Sequence, residues 1–325
     1  MKKKIIIFAS LFLLILLAIV AIILQTKNNN ITNNEINTGK ENFEIEKSKM
    51  PTIPEGFHPV KVNENDWINE NGMTNNWNNG LVIEDTKGNQ FVWVPCNLEG
   101  TEDIVKFARY FYNSDTKKVE TCDTNDYISF YGNNIGEPNL EDINELKNSI
   151  SRYGGFYIGR FEVGQENGQA VIKKNAKAWN NINYNDAKKI AEDFYNENIV
   201  NVKSGLCNSY IYDTTSSWLY NNFKDYKPYD YLNRGNFTGK ECLTGEDESL
   251  YFKNIADLYG NFFEFTTERD MANDIIQRGL GYNFTRKRYE EGKSIDILYD
   301  RVMCFVADSE FKNDLIGFRI FLYLN

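Results

Sequence analysis

The chain has 325 residues, enough for one large or two ordinary domains, with a net charge of −10 and a pI near 4.9. Past the first few residues no stretch concentrates Lys and Arg, which argues against a nucleic-acid partner, and the single histidine, His58, excludes any site built on two or three imidazoles. Aromatic residues make up 14% of the chain, with 22 Phe and 20 Tyr, so the material for a sizeable core is present.

The N-terminus reads MKKK followed by a run without charge from Ile5 to Leu24. Twenty helical residues at about 1.5 Å each span the roughly 30 Å hydrocarbon layer. No small-x-small cleavage site adjoins the polar boundary, and no cysteine follows to accept a lipid. Residues 1–25 are therefore expected to be an uncleaved transmembrane anchor, with a cleaved signal as the alternative. The lysines stay in the cytoplasm and the rest of the chain is extracytoplasmic, a single-pass arrangement in the cell membrane. Residues 26–52 are polar, lack apolar periodicity and read as a flexible tether. Residues 53–325 are taken as one folded unit, with 53–153 an N-terminal elaboration of it.

Within that unit, 81–95 reads as two strands joined around Gly88 and Asn89. Residues 141–153 have helical spacing at Ile143, Leu146 and Ile150. Residues 155–174 read as an alternating run, a Gly- and Asn-rich turn and a shorter return strand. The strongest helical pattern is 183–198, where Ala187, Ile190, Ala191, Phe194 and Tyr195 form one stripe and Asn185 is the expected cap. A short helix is expected over 213–223, starting from Asp213. Short strands follow around 261–266, 275–282, 300–306 and 316–324. Helices mixed with short antiparallel strands and long connections indicate an α+β class. His58, in EGFHPV, is expected at the surface or in a loop. The five cysteines, Cys96, Cys122, Cys207, Cys242 and Cys304, lack C-x-x-C spacing. Scattered reduced thiols are the expectation, with one bridge such as Cys207–Cys242 left open.

Several segments, in order, resemble the formylglycine-generating-enzyme (sulfatase-modifying-factor) family. GGFYIGRFEV (154–163) is similar to its F-x-I-G-R-x-E-V strand, and NYNDAKKIAEDF (183–194) to a helix that follows. NIADLYGNFFEF (254–265) resembles D-x-x-G-N-V-W-E-W, and QRGLGY (277–282) and IGFRIFL (316–322) resemble its R-G-G-S and G-F-R elements. The front part, with IPEGFHPV and GNQFVWVP, looks like the exported bacterial subset. The resemblance implies an irregular C-type-lectin-like domain whose loops carry recognition. It also implies a calcium site at Asp257, Glu264 and the carbonyls of Gly260 and Phe262. Calcium suits such a mixture of carboxylates and main-chain oxygens. The other reading is that the two carboxylates accept backbone N–H bonds and lock the turn.

The family's oxidase members hold copper with two cysteines placed after R-G-G-S. Phe284 and Tyr289 stand at those positions here, and neither supplies the thiolate that Cu(I) needs. The iron-dependent relatives need three histidines. No copper or iron is therefore expected, and a catalytic role recedes. Arg278 and Arg319 are expected to tie strands to carboxylates through forked bonds. Glu268 and Asp270, in TTERD, read as loop charges before they read as an acid–base pair. The remaining asset is the loop surface. Residues 210–240 interleave Tyr and Trp with Asn, Asp and Ser, the chemistry of binding loops, and Tyr226, Tyr229 and Tyr231 are the candidate ligand-binding residues. The expected function is a membrane-tethered, extracytoplasmic ligand-binding or scaffold protein whose partner is a protein, peptide or glycan. The alternative is an enzyme modifying a polypeptide through a site not visible in the sequence. NFT at Asn236 and at Asn283 matches a glycosylation acceptor.

Overall fold

A computed structural model of the chain describes residues 51–62, 79–113, 116, 118–122, 128–130, 133–135, 140–195, 201–222, 224, 233–269, 274–283 and 309–325. The expected anchor and most of the tether, the strand expected at 300–306, and Asp270, Phe284, Tyr289 and Cys304 lie outside the described residues. Among the described residues no helix is long and apolar enough to cross a membrane.

The class is α+β. One sheet forms the spine. Its strands are β1 (Phe57–Val60), β2 (Val82–Asp85), β3 (Gln90–Asn97), β9 (Gly155–Gly159), β17 (Ile320–Leu324) and β13 (Val202–Leu206), in that spatial order, with β4 (Val105–Lys106) beside β3. Two ribbons, β5 (Arg109–Asn113) with β6 (Lys118–Cys122) and β7 (Ile128–Phe130) with β8 (Asn133–Ile135), stand apart from it. Two three-stranded sheets complete the β structure: β10 (Gly164–Glu166), β11 (Gln169–Val171) and β12 (Lys177–Ala178), then β14 (Phe263–Arg269), β15 (Ile275–Arg278) and β16 (Ile316–Phe318).

The β2–β3 hairpin forms where the sequence placed it. The Asp85 carboxylate accepts the N–H groups of Lys87 and Asn89, each at 2.8 Å, which fixes the turn. The expected 155–174 hairpin divides instead. Residues 155–159 go to the centre of the large sheet between β3 and β17, while 164–171 form a small hairpin of their own. The break lies where Glu162 turns inward to bond Asn261 and Phe262, so the alternation cannot continue. Likewise 316–324 is two strands. β16 runs parallel to β14, and β17 joins the large sheet after the buried Arg319.

Helix α1 (Leu140–Tyr153) buries Ile143, Leu146 and Ile150 and packs against β9 and β17. Helix α2 (Tyr184–Asp193) is capped by Asn183, not Asn185: Asn183 Oδ1 accepts the Asp186 N–H at 2.7 Å. Asn185 points its amide at Ser309 and Glu310. Helix α3 (Ser209–Leu219) begins four residues before the expected start. Asn208 caps it by accepting the Ile211 N–H, and Asp213 lies inside it. Every residue of α3 is buried, polar ones included. That works because Thr215 and Ser216 bond back to the carbonyls of Ile211 and Tyr212, while Asp213 takes the Tyr110 N–H and Arg278. His58 lies on edge strand β1, exposed, with its ring 3.6 Å from Glu84.

Candidate functional site

Two regions could carry function, one enclosed and one open. The enclosed region is a buried polar node centred on Arg319, whose side chain is fully covered. Arg319 Nε donates to Glu264 Oε1 at 2.9 Å, and Nη2 approaches the same oxygen at 2.7 Å. Nη1 donates to the Gly159 carbonyl, and Nη2 to the carbonyls of Ala256 and Asp257. The expected tie to a carboxylate is present, though both nitrogens converge on one oxygen instead of forking onto two, and the guanidinium joins Gly159, residues 256–257 and Glu264. Arg278 is the second such arginine, with Nη2 2.7 Å from Asp213 Oδ1. Glu268, expected as a loop charge, is instead buried near Arg109 and Arg278 at 3.8 and 3.9 Å.

Around Arg319 stand three buried carboxylates. Glu162 accepts the amide of Asn261 at 2.7 Å and the Phe262 N–H at 3.1 Å. Asp257 accepts the Gly245 N–H at 2.8 Å. Glu264 is held by Arg319 on one oxygen, while its Oε2 is buried with no hydrogen-bond partner among the described residues. One guanidinium stands against three carboxylates in a covered interior, which favours the protonated form of the carboxyl groups. Burial, then Asp257 and Glu264, push Glu162 well above the usual carboxylate range. Burial raises Glu264 although Arg319 draws it down, and burial raises Asp257 against the pull of the Gly245 N–H. Burial opposes the charge of Arg319, yet Glu264 and Glu162 outweigh it and its pKa is raised.

Backbone geometry builds this node. Gly260 has φ +83° and Asn261 φ 58°, so the chain reverses through two left-handed residues. A Cβ on Gly260 would come within 2.6 Å of the Asn236 backbone, so only glycine fits. Asn261 then turns inward, and its Oδ1 accepts the Cys242 N–H and the Asn236 amide. The two carboxylates singled out in the sequence therefore share one pocket of charge. Asp257 accepts a backbone N–H, as in the second reading, but from Gly245 outside the turn, while Glu264 accepts from the Arg319 side chain. The orphaned Glu264 Oε2 is the kind of acceptor a cation would take. Among the described residues no three His, Cys, Asp or Glu side chains gather as a metal cluster. The set at issue here has two carboxylates and two carbonyls.

Tyr226, Tyr229 and Tyr231 lie outside the described residues. Their neighbours Tyr210, Tyr212, Trp218 and Tyr220 are core residues. Asn236 is not available to a glycan. It is 2% exposed, its amide donates to Lys240 and Asn261, and its Oδ1 accepts from Thr238, so the NFT motif is a turn here. Cys96, Cys207 and Cys242 are free thiols, and burial pushes the pKa of Cys96 and Cys207 up. The Cys207–Cys242 bridge does not form.

The open region is a cleft of about 820 Å3 between the β10–β11 hairpin, helix α2 and the Asp85–Asn89 turn. Trp179 lines it half-buried, with four lysines and four acidic residues around it. Sequence reading missed this site because its walls come from segments between Asp85 and Lys312, more than 200 residues apart, and no local motif marks it. The half-exposed Trp179, next to a left-handed Asn181, is the one local sign. Compared with known proteins, the chain matches no family model, no curated protein and no solved structure.

Proposed function

We propose that the chain is a membrane-tethered, extracytoplasmic ligand-binding or scaffold protein. Its domain is of the C-type-lectin-like, formylglycine-generating-enzyme-like kind, and it binds without catalysing. The supporting observation is convergence. Three of the segments that carry the resemblance meet at one node: Gly159 and Glu162 from FYIGRFEV, Asp257 and Glu264 from DLYGNFFEF, and Arg319 from IGFRIFL. Residues far apart in sequence that resemble one family in order, and that also bond one another, are better accounted for by a shared scaffold than by chance. Phe284 and Tyr289 at the cysteine positions of the resembling oxidases remove the thiolate pair that would hold copper.

A calcium ion belongs to this reading. Asp257 and Glu264 with the carbonyls of Gly260 and Phe262 would hold it, and it would neutralise the surplus carboxylate charge while pinning the 257–264 turn. Calorimetric titration of the chelated chain tests this, with binding expected at about 10⁻⁴–10⁻³ M or tighter. No heat and no gain in Tm at millimolar calcium removes the metal.

The non-catalytic reading is tested by incubating the chain with copper, oxygen and a cysteine-containing peptide. An unchanged peptide mass is expected, and appearance of a formylglycine product overturns it.

A further inference from the structure

The open cleft has a chemistry of its own, which uses neither the Arg319 node nor the Tyr226–Tyr231 segment. Its charges balance: Lys87, Lys173, Lys189 and Lys312 face Asp85, Glu166, Asp186 and Asp193. Three pairs are already joined along the walls. Lys173 is 3.2 Å from Glu166, Lys189 bonds Asp193, and Lys312 is 4.0 Å from Asp186. Asp85 is saturated by the N–H groups of Lys87 and Asn89, the Asn89 amide and the Tyr195 hydroxyl. An anionic ligand entering here meets three acidic side chains, and a cationic one meets four lysines. Lys87 is the one of the four with no acidic partner among the described residues, and a charged ligand reaching beyond it would have to displace pairs that the protein has made. The paired walls therefore favour a ligand without net charge.

The groups left over define what that ligand offers. The exposed amides of Asn167, Gln169 and Asn181 make no hydrogen bond within the described protein, and each presents both a donor and an acceptor. A hydroxyl is the complementary group, being donor and acceptor at once. Beside them the half-buried Trp179 ring, braced at 6.5 Å by Phe318, offers an apolar face with an indole N–H at its rim. An alternation of hydroxyls and apolar C–H faces is the surface of a pyranose ring. The volume lies within the range of about 300–1,000 Å3 usual for small-ligand sites. A peptide added as a further strand fits less well. Edge strand β11 has only three residues, and the backbone just beyond it is occupied: the Ile172 N–H bonds Asn89 Oδ1 and its carbonyl accepts from Gln90.

We propose that this cleft binds a neutral, hydroxyl-rich chain, an oligosaccharide segment, stacked on Trp179 and hydrogen-bonded by Asn167, Gln169 and Asn181. The full-length chain in phospholipid nanodiscs, free of sugar detergents, is tested on a printed array of neutral glycans. The best binder is then titrated by calorimetry. Binding is expected to at least one neutral oligosaccharide, with affinity changing less than about twofold between low and high salt, because no ion pair forms. It is expected to persist in chelator. Trp179→Ala should weaken it by about tenfold or more. Since Trp179 also packs on Phe318, a second variant avoids the core: Gln169→Ala with Asn181→Gly, which keeps the left-handed backbone at 181, should weaken binding by about fivefold or more with unchanged Tm. The proposal is overturned by an array without binders, by affinity that falls steeply with salt, by full binding in both variants, or by an uncharged capped peptide occupying the cleft instead. None of these outcomes touches the peptide-oxidation test above.

Discussion

The Arg319 node and the cleft both consist of lysines or arginines set against carboxylates, yet they work in opposite ways. In the node the ions are covered, so each must be held by several protein groups, and an unbalanced one is costly. In the cleft the pairs are half-exposed, solvent screens them, and their worth to stability is small. Charge is thus structural in the first region and shapes ligand choice in the second.

The largest expected effect lies in the node. Arg319→Leu removes the guanidinium bonded to Glu264 and strands three backbone carbonyls. Breaking a buried pair this way costs on the order of 3–5 kcal/mol, to be read as a lowered urea midpoint. A loss near zero would mean that the node is not dry. Next comes pH. Glu162, Glu264 and Asp257 have raised pKa values when folded, so above the ordinary 4.5 of a glutamate the folded chain keeps protons that the unfolded chain has released. Stability should therefore be highest near and below that value and fall as pH rises through the folded pKa values. The measurement is Tm against pH in chelator. Glu162→Gln should flatten the slope, and so should calcium, and an unchanged slope in that variant would move the effect away from the node.

Smaller effects sharpen the contrast. Asn183→Ala removes the α2 cap and should cost about 1 kcal/mol in urea unfolding. Asp193→Asn breaks an exposed Lys189 pair on the same helix and should leave Tm unchanged. A marked drop there would show that the cleft pairs are as structural as those of the node.

The sequence carried the hairpin at 81–95, the stripe Ile143, Leu146, Ile150 and the body of α2, because hairpin turns and apolar periods are local signals. It also carried the tie of Arg319 to a carboxylate, though on one oxygen and not as a fork. It misplaced what depends on distant partners. Asp213 looked like the start of a helix but is held inside α3 by Tyr110 and Arg278. Asn236 looked like a glycan acceptor but is enclosed by Asn261 and Lys240. Glu268 looked like a loop charge but is buried beside two arginines.

By itself the sequence determined the α+β class, most of the helical faces and the turn at Gly260, since each follows from the conformational preference of nearby residues. Only the tertiary structure decided which charges are buried together and where an open cleft remains. Burial and pairing are properties of the space between segments, and the Gly159, Glu264 and Arg319 contacts join positions as much as 160 residues apart.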